Sequence, residues 1–224
     1  PVTTTLERIG FMQGRLSAMV DGKIQAFPWN EWREEFPRAN ALGLTRMEWT
    51  IDQDRLRENP LTTEAGQKDI LGIAQANGLR IPSLTGDCFM QAPFWKASGS
   101  AQTALVGDLD LVVASCRKLG VEFVVIPLVD NGKIETAEQE ATLLRVLRER
   151  APALAKQGVK IVFESDLPPA PLAQFIAKLP AETFGINYDI GNSASLGYDS
   201  AEEIAAYAPR ILNVHVKDRL RGGT

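Results

Sequence analysis

Seven short apolar runs, each followed by turn residues and then by a stretch of helical periodicity, constrain this chain more than any other feature. They occupy residues 8–13, 46–51, 79–84, 121–129, 159–163, 183–188 and 211–216. Phe123-Val124-Val125-Ile126 is apolar at consecutive positions, and therefore on both faces of an extended chain. That pattern suits a strand covered on both sides in a parallel sheet. Residues 101–119 place Leu105, Leu109, Val112, Val113 and Cys116 on one helical stripe, with Gly120 next as a stop signal. Residues 136–157 open with the capping pattern Thr136-x-x-Gln139 and close at Gly158. Ser200-x-x-Glu203 starts another helix in the same way, and 62–77 runs up to Gly78. Residues 30–42 are helical in pattern but contain Pro37, which predicts a kink or a break.

Strands alternating with helices argue for a parallel sheet. Neither a GxGxxG nor a Walker pattern is present, and seven repeats are too many for a comfortable doubly wound sheet. The expected fold is therefore α/β, a (β/α)8 TIM barrel forming one domain over residues 1–224. Its eighth unit is expected to be missing from the chain as given, or the barrel left open.

Charge and composition narrow the class. Lys and Arg number 24 against 28 Asp and Glu, a formal net charge of −4 that gives no electrostatic reason to bind nucleic acid or an anionic membrane. No run approaches the ~18 apolar residues of a membrane span. Residues 1–8 lack the basic-then-apolar pattern of a signal peptide. Cys88 and Cys116 form no CxxC or paired framework, which favours reduced thiols. A cytoplasmic protein is expected.

Barrel enzymes place their chemistry at the C-terminal ends of the strands. Here the runs end around Glu48, Asp87, Asp130, Glu164, Asp189 and His215, the only histidine in the chain. Carboxylates and an imidazole converging on one rim would be costly without a partner. Two carboxylates and an imidazole suit Mn2+, Co2+, Mg2+ or Zn2+, with coordination positions left for substrate or water. Each of these residues has a plainer reading. Glu164 alone is a solvated loop residue, Asp189 an N-cap or Asx turn before Gly191, and His215 a hydrogen-bonded core histidine. Three of them at equivalent positions on consecutive strands favour Glu164, Asp189 and His215 as metal ligands. Asn187 and Asn213, two residues before a ligand each, share its strand face, where they either orient it from behind or point into a polar layer of the barrel interior. Glu48 and Asp87 are candidates for substrate hydroxyls; Gly14-Arg15 is too short a signal to interpret, although Arg15 is within reach of an anionic substrate group. The aromatic residues Phe27, Trp29, Trp32, Phe89, Phe94 and Trp95 either wall a sugar site or cover the core, the second being favoured.

The segments Phe163-Glu164-Ser165-Asp166, Asn187-Tyr188-Asp189-Ile190-Gly191-Asn192 and Asn213-Val214-His215-Val216-Lys217-Asp218 resemble strands five to seven of the xylose-isomerase-like sugar isomerases and epimerases, tagatose epimerases among them. In that family a Glu, an Asp, a His and a second Glu bind one divalent metal, and the two Glu residues move a proton between adjacent carbons of a ketose. The resemblance implies that Glu164, Asp189 and His215 fill the first three places, with Glu164 also the catalytic base. It implies substrate contacts for Arg221, six residues after the His, and for Asn192, which stands where the family often has a His. The family's second Glu belongs to strand eight, which the sequence does not contain.

The function expected is that of a metal-dependent isomerase or epimerase of a small sugar or polyol, phosphorylated or not. An inosose-type dehydratase on the same scaffold and a non-catalytic ligand-binding barrel are the alternatives. An apurinic endonuclease fits poorly, because those barrels gather several histidines around zinc. The partner implied is a small-molecule substrate, with neither nucleic acid nor membrane. The resemblance leaves room for a homo-oligomer, although no interface is legible.

Overall fold

The computed structural model describes residues 5–222, so the readings made on residues 1–4 and on the chain end at Thr224 lie outside the described residues. Seven strands form one sheet: β1 (Phe11–Met12), β2 (Arg46–Thr50), β3 (Arg80–Thr85), β4 (Phe123–Leu128), β5 (Lys160–Ser165), β6 (Phe184–Asp189) and β7 (Ile211–His215). Every adjacent pair is parallel, and the spatial order is the chain order. A doubly wound sheet would reverse direction at a switch point. This one turns steadily in one direction, as a barrel does, and stays open between β1 and β7.

Helices cover the outside: α1 (Glu35–Ala41), α2 (Glu64–Ala76), α3 (Asp87–Gln91), α4 (Gly99–Leu119), α5 (Ala137–Gln157), α6 (Pro169–Ala177), α7 (Ile190–Leu196) and α8 (Ser200–Tyr207). The stripe expected on α4 is its buried face, with Leu109, Val112, Val113 and Cys116 inside and Leu105 partly covered. The helix ends at Gly120, whose φ of 73° is a left-handed conformation that glycine adopts without a Cβ penalty. Val124, Val125 and Ile126 of β4 are fully buried, as expected of a strand covered on both faces. Cys88 and Cys116 are both free and buried.

Three local expectations change. The first strand shrinks from 8–13 to Phe11–Met12, the two residues that pair with β2. The helix expected over 30–42 begins only at Glu35, so Pro37 falls in its first turn. Backbone N–H groups there have no partner inside the helix, and proline neither kinks nor breaks it. The cap of α8 is Asp199 rather than Ser200, its carboxylate accepting from the N–H groups of Ala201 and Glu202. Glu203 turns inward instead and accepts from the hydroxyls of Ser193, Tyr188 and Tyr207 at 2.6, 2.8 and 3.1 Å.

The aromatic residues of the first loops belong to the core. Trp49 of β2 packs against Phe27 and Trp32 at centroid distances of 5.4 and 5.7 Å, and Phe89, Phe94 and Trp95 are equally buried. Each such ring, removed from water, stabilises the fold by ~2–3 kcal/mol. Glu35, fully buried, accepts from the N–H groups of Gly14 and Leu16 at 2.8 and 3.0 Å and so pins the loop after β1.

Candidate metal centre

Strand register brings the polar residues together. Asp189 lies beside His215 and Asn187 beside Asn213 in the β6–β7 ladder, while Glu164 sits on neighbouring β5. The period of two then sends Asn187 and Asp189, and likewise Asn213 and His215, to one face. That face is the barrel interior. Donor atoms of Glu164, Asp189 and His215 all lie within 4.8 Å of one another. The two carboxylate side chains are 12% and 2% exposed and the imidazole 14%, so all three are largely withdrawn from water.

Each ligand candidate is held by neighbours. Glu164 accepts from Asn192 Nδ2 on Oε1 at 2.7 Å and from Asn187 Nδ2 on Oε2 at 3.0 Å. Asp189 divides its oxygens: Oδ1 caps α7 by accepting from the Asn192 N–H at 2.8 Å, while Oδ2 turns to the cluster. The capping and ligand readings of Asp189 therefore do not compete. Oδ2 is buried without a well-directed hydrogen bond, and its nearest cation is Lys217 Nζ at 2.7 Å. Lys217 reaches it because residue 191 is glycine. A Cβ there would stand 2.5 Å from Lys217 Cγ and 2.9 Å from its carbonyl oxygen.

His215 bridges two carboxylates. Its Nδ1 lies 3.1 Å from Glu164 Oε2 and 3.8 Å from Asp189 Oδ2, and its Nε2 lies 2.7 Å from Glu48 Oε1. Burial alone would depress the imidazole pKa. The Glu48 charge, with hydrogen bonds to Asp189, Glu164 and Glu48, outweighs burial and pushes it up to about 12. Burial works against Glu48 and Asp189 as carboxylates, but the cations beside them win. His215 holds the Glu48 carboxyl below its ordinary value, and His215 with Lys217 does the same for Asp189.

The donors present fit a divalent cation. Two carboxylates and an imidazole converge, one carboxylate oxygen lacks a directed partner, and the site already concentrates positive charge in a proton and an ammonium. Oxygen and nitrogen ligands of this kind suit Mn2+, Co2+, Mg2+ or Zn2+. The cluster opens on a cavity of about 720 Å3 that runs along the open side of the sheet and is lined also by Arg15, Gln25 and Asp87.

The remaining candidates are placed as follows. Asp87 lines the cavity, where Gln25 Nε2 donates to it at 2.6 Å; burial, joined by the charges of Asp52, Glu164 and Glu48, outweighs the lowering effect of that bond and raises its pKa to about 7. Asn192 is engaged with Glu164, Asp189 and Arg219 Nη1, the last at 2.5 Å. Arg221 turns away from the cavity over Gly197 at the end of α7. Asp130 is exposed at the turn after β4. Of the run of three cations, Lys217 reaches the ligand candidate Asp189 and Arg219, two residues before Arg221, reaches Asn192 behind it; the spacing in the sequence does not say which of the three turn inward.

Residues 36–223 match the family described as xylose isomerase-like TIM barrel. No curated protein matches the chain. Among solved structures, a xylose isomerase domain protein from Planctomyces limnophilus is similar at TM-score 0.68 and 15% identity over 95% of this chain and 72% of that one. D-psicose 3-epimerase with D-tagatose, from Clostridium cellulolyticum H10, is similar at 0.67 and 14%, over 83% and 67%. The IolI protein with a bound zinc atom is similar at 0.61 and 18%, over 82% and 66%. At these identities the likeness is one of fold. Among the described residues, no helix is long and apolar enough to cross a membrane.

Proposed function

The chain belongs to the xylose isomerase-like TIM barrel family, a family of sugar isomerases and epimerases, and on that basis we propose that it is a divalent-metal-dependent isomerase or epimerase of a small sugar or polyol. The observation that carries the proposal is the convergence of Glu164, Asp189 and His215 within 4.8 Å at the wall of the cavity. Glu164 Oε2, Asp189 Oδ2 and His215 Nδ1 would hold the cation. A divalent cation there supplies Lewis acidity toward a substrate carbonyl. Glu164 Oε1, on the side away from His215, is the atom assigned to take a proton from a substrate carbon and return it at the neighbouring carbon. Asn192 and Asn187 fix the orientation of that carboxylate. Asp87, the buried acid on the cavity wall, and Arg15 are the groups assigned to substrate hydroxyls or a substrate anion.

The test combines binding and turnover. Thermal unfolding of wild type and His215→Ala is followed with Mn2+, Co2+, Mg2+ and Zn2+, each of which raises stability by mass action only if it binds the folded chain. At a metal concentration of ~100 Kd the wild type gains about 2.7 kcal/mol, and His215→Ala is expected to gain nothing comparable. A panel of ketoses, aldoses and polyols, free and phosphorylated, then gives products whose identity separates isomerisation from dehydration. Glu164→Gln that turns over the substrate at the wild-type rate would remove Glu164 as the base.

A further inference from the structure

We propose that Glu48 is the positioning residue that fixes His215 as an Nδ1 metal ligand, by holding the proton on the opposite ring nitrogen. The inference rests on the metal reading above but concerns a carboxylate that this reading does not use. Glu48 stands on β2, across the barrel interior from β7, and its side chain is 10% exposed. Both of its oxygens are occupied. Oε1 accepts from His215 Nε2 at 2.7 Å and from the Thr85 hydroxyl, and Oε2 accepts from the Ser83 hydroxyl at 2.8 Å and Asn213 Nδ2 at 3.1 Å. A carboxylate gripped by four groups from β3 and β7 is a fixed acceptor and is not free to swing toward a substrate. It also lies on the far side of the imidazole from Glu164 and Asp189, which both face Nδ1.

An ionised carboxylate can only accept, so Glu48 sets the direction of every hydrogen bond leading away from it. The Asn213 amide must turn its Nδ2 toward Glu48 Oε2, and the same nitrogen donates to Asn187 Oδ1 at 2.9 Å. Asn187 is thereby turned so that its own Nδ2 faces Glu164 Oε2 at 3.0 Å and His215 Nδ1 at 3.1 Å. Without a metal, Nδ1 faces the Glu164 and Asp189 carboxylates and carries a proton toward them, so both ring nitrogens are protonated. A cation held between those carboxylates would take the place of the Nδ1 proton and not of the Nε2 proton, which is committed to Glu48 at 2.7 Å. A neutral imidazole has one N–H, so a cation bound at Nδ1 leaves Nε2–H as its only donor, already paired with Glu48. Such outer carboxylates typically contribute 10–100-fold to metal affinity.

His215 is the only histidine, so its ring nitrogens can be read without assignment ambiguity in long-range 1H–15N correlation spectra. With Zn2+ added to the wild-type chain, the expected pattern is a protonated Nε2 and a metal-bound Nδ1. In parallel, Zn2+ affinity is measured by competition with a chromophoric chelator for wild type, Glu48→Gln and Glu48→Ala. Glu48→Ala is expected to lose ~10–100-fold and to show His215 no longer confined to one tautomer, with Glu48→Gln, which keeps an acceptor oxygen, in between. Far-ultraviolet circular dichroism confirms that the variants fold, and the wild-type spectrum tests the assignment should they not. Zn2+ bound through Nε2, or affinity unchanged in both variants, would overturn the role of Glu48 while leaving the metal reading intact. A wild-type chain that binds no Zn2+, Co2+ or Mn2+ would overturn both.

Discussion

Replacing Asp87 by asparagine tests the electrostatics of the cavity without touching a ligand candidate. Asp87 is 5% exposed and receives one hydrogen bond, from Gln25. No cation answers it, and the charges of Asp52, Glu164 and Glu48 add to the cost of burial, so its pKa rises from 3.8 to about 7. An acid whose pKa is higher in the folded than in the unfolded chain binds a proton on folding through the interval between the two values. Its favourable contribution is complete below the unfolded pKa and is lost as pH rises through about 7. At ~1.4 kcal/mol per pH unit, the full interval amounts to about 4 kcal/mol. Relaxation around the buried charge brings the expected loss to ~2–4 kcal/mol. The amide introduced by Asp87→Asn is neutral at every pH and can still accept from Gln25 through its oxygen. Urea unfolding of both proteins with chelator present, at pH values spanning roughly 4 to 8, isolates the effect, because titrating groups remote from Asp87 cancel in the difference. The amide variant is expected to match or fall slightly below wild type at the acid end and to exceed it by ~2–4 kcal/mol at the alkaline end. A stability difference independent of pH would show that Asp87 is ionised throughout and that its surroundings are wetter than the structure describes.

The other predictions follow from single contacts. Lys217→Met removes the ammonium that competes with a divalent cation for Asp189 Oδ2; because the lysine is partly exposed and its ion pair modest, metal affinity should rise only ~2–5-fold, and a fall would mean that Lys217 supports the site. Glu203→Ala leaves the hydroxyls of Tyr188, Ser193 and Tyr207 without their shared acceptor. It should cost ~2–4 kcal/mol in chemical unfolding and leave metal affinity within about twofold, since it touches no ligand candidate; a large affinity change would couple α8 to the metal centre. Gly191→Ala should push Lys217 off Asp189, detectable as a change in Lys217 Nζ resonances on metal titration, and an unmoved lysine would show that the backbone yields instead.

How much of this was legible in the sequence depends on the range over which each feature is decided. The strand–helix alternation was legible because it rests on local periodicity: Val124-Val125-Ile126 must be covered on both faces wherever the chain goes, and Gly120 ends a helix whatever packs beside it. Boundaries moved where a neighbour decided them. β1 contracted to the two residues that meet β2, and α1 slid until Pro37 came to rest in its first turn. Ser200-x-x-Glu203 carries the capping pattern, yet Asp199 took the cap because a buried Glu203 with three hydroxyl partners was the stronger arrangement.

The candidate site shows the same division between residues and partners. Glu164, Asp189 and His215 could be picked out because each closes an apolar strand on adjacent β5, β6 and β7, whose same-facing ends the parallel sheet brings together; Asp189 pairs with His215, and Glu164 joins them from one pleat lower on β5. What each residue does with its remaining atoms is decided across the barrel, where sequence spacing is silent. Glu48 stands 167 residues from His215, and its pairing with Nε2 needs the sheet to curve until β2 faces β7. Read alone it is a rim carboxylate free for a substrate hydroxyl; with Ser83, Thr85 and Asn213 on its oxygens it has no capacity left for one. The Asn192 amide is likewise engaged within the protein, by Glu164 and Arg219. On the proposed reading, therefore, recognition in this cavity is assigned to the lining groups that Glu48 and Asn192 leave to it, Asp87 and Arg15.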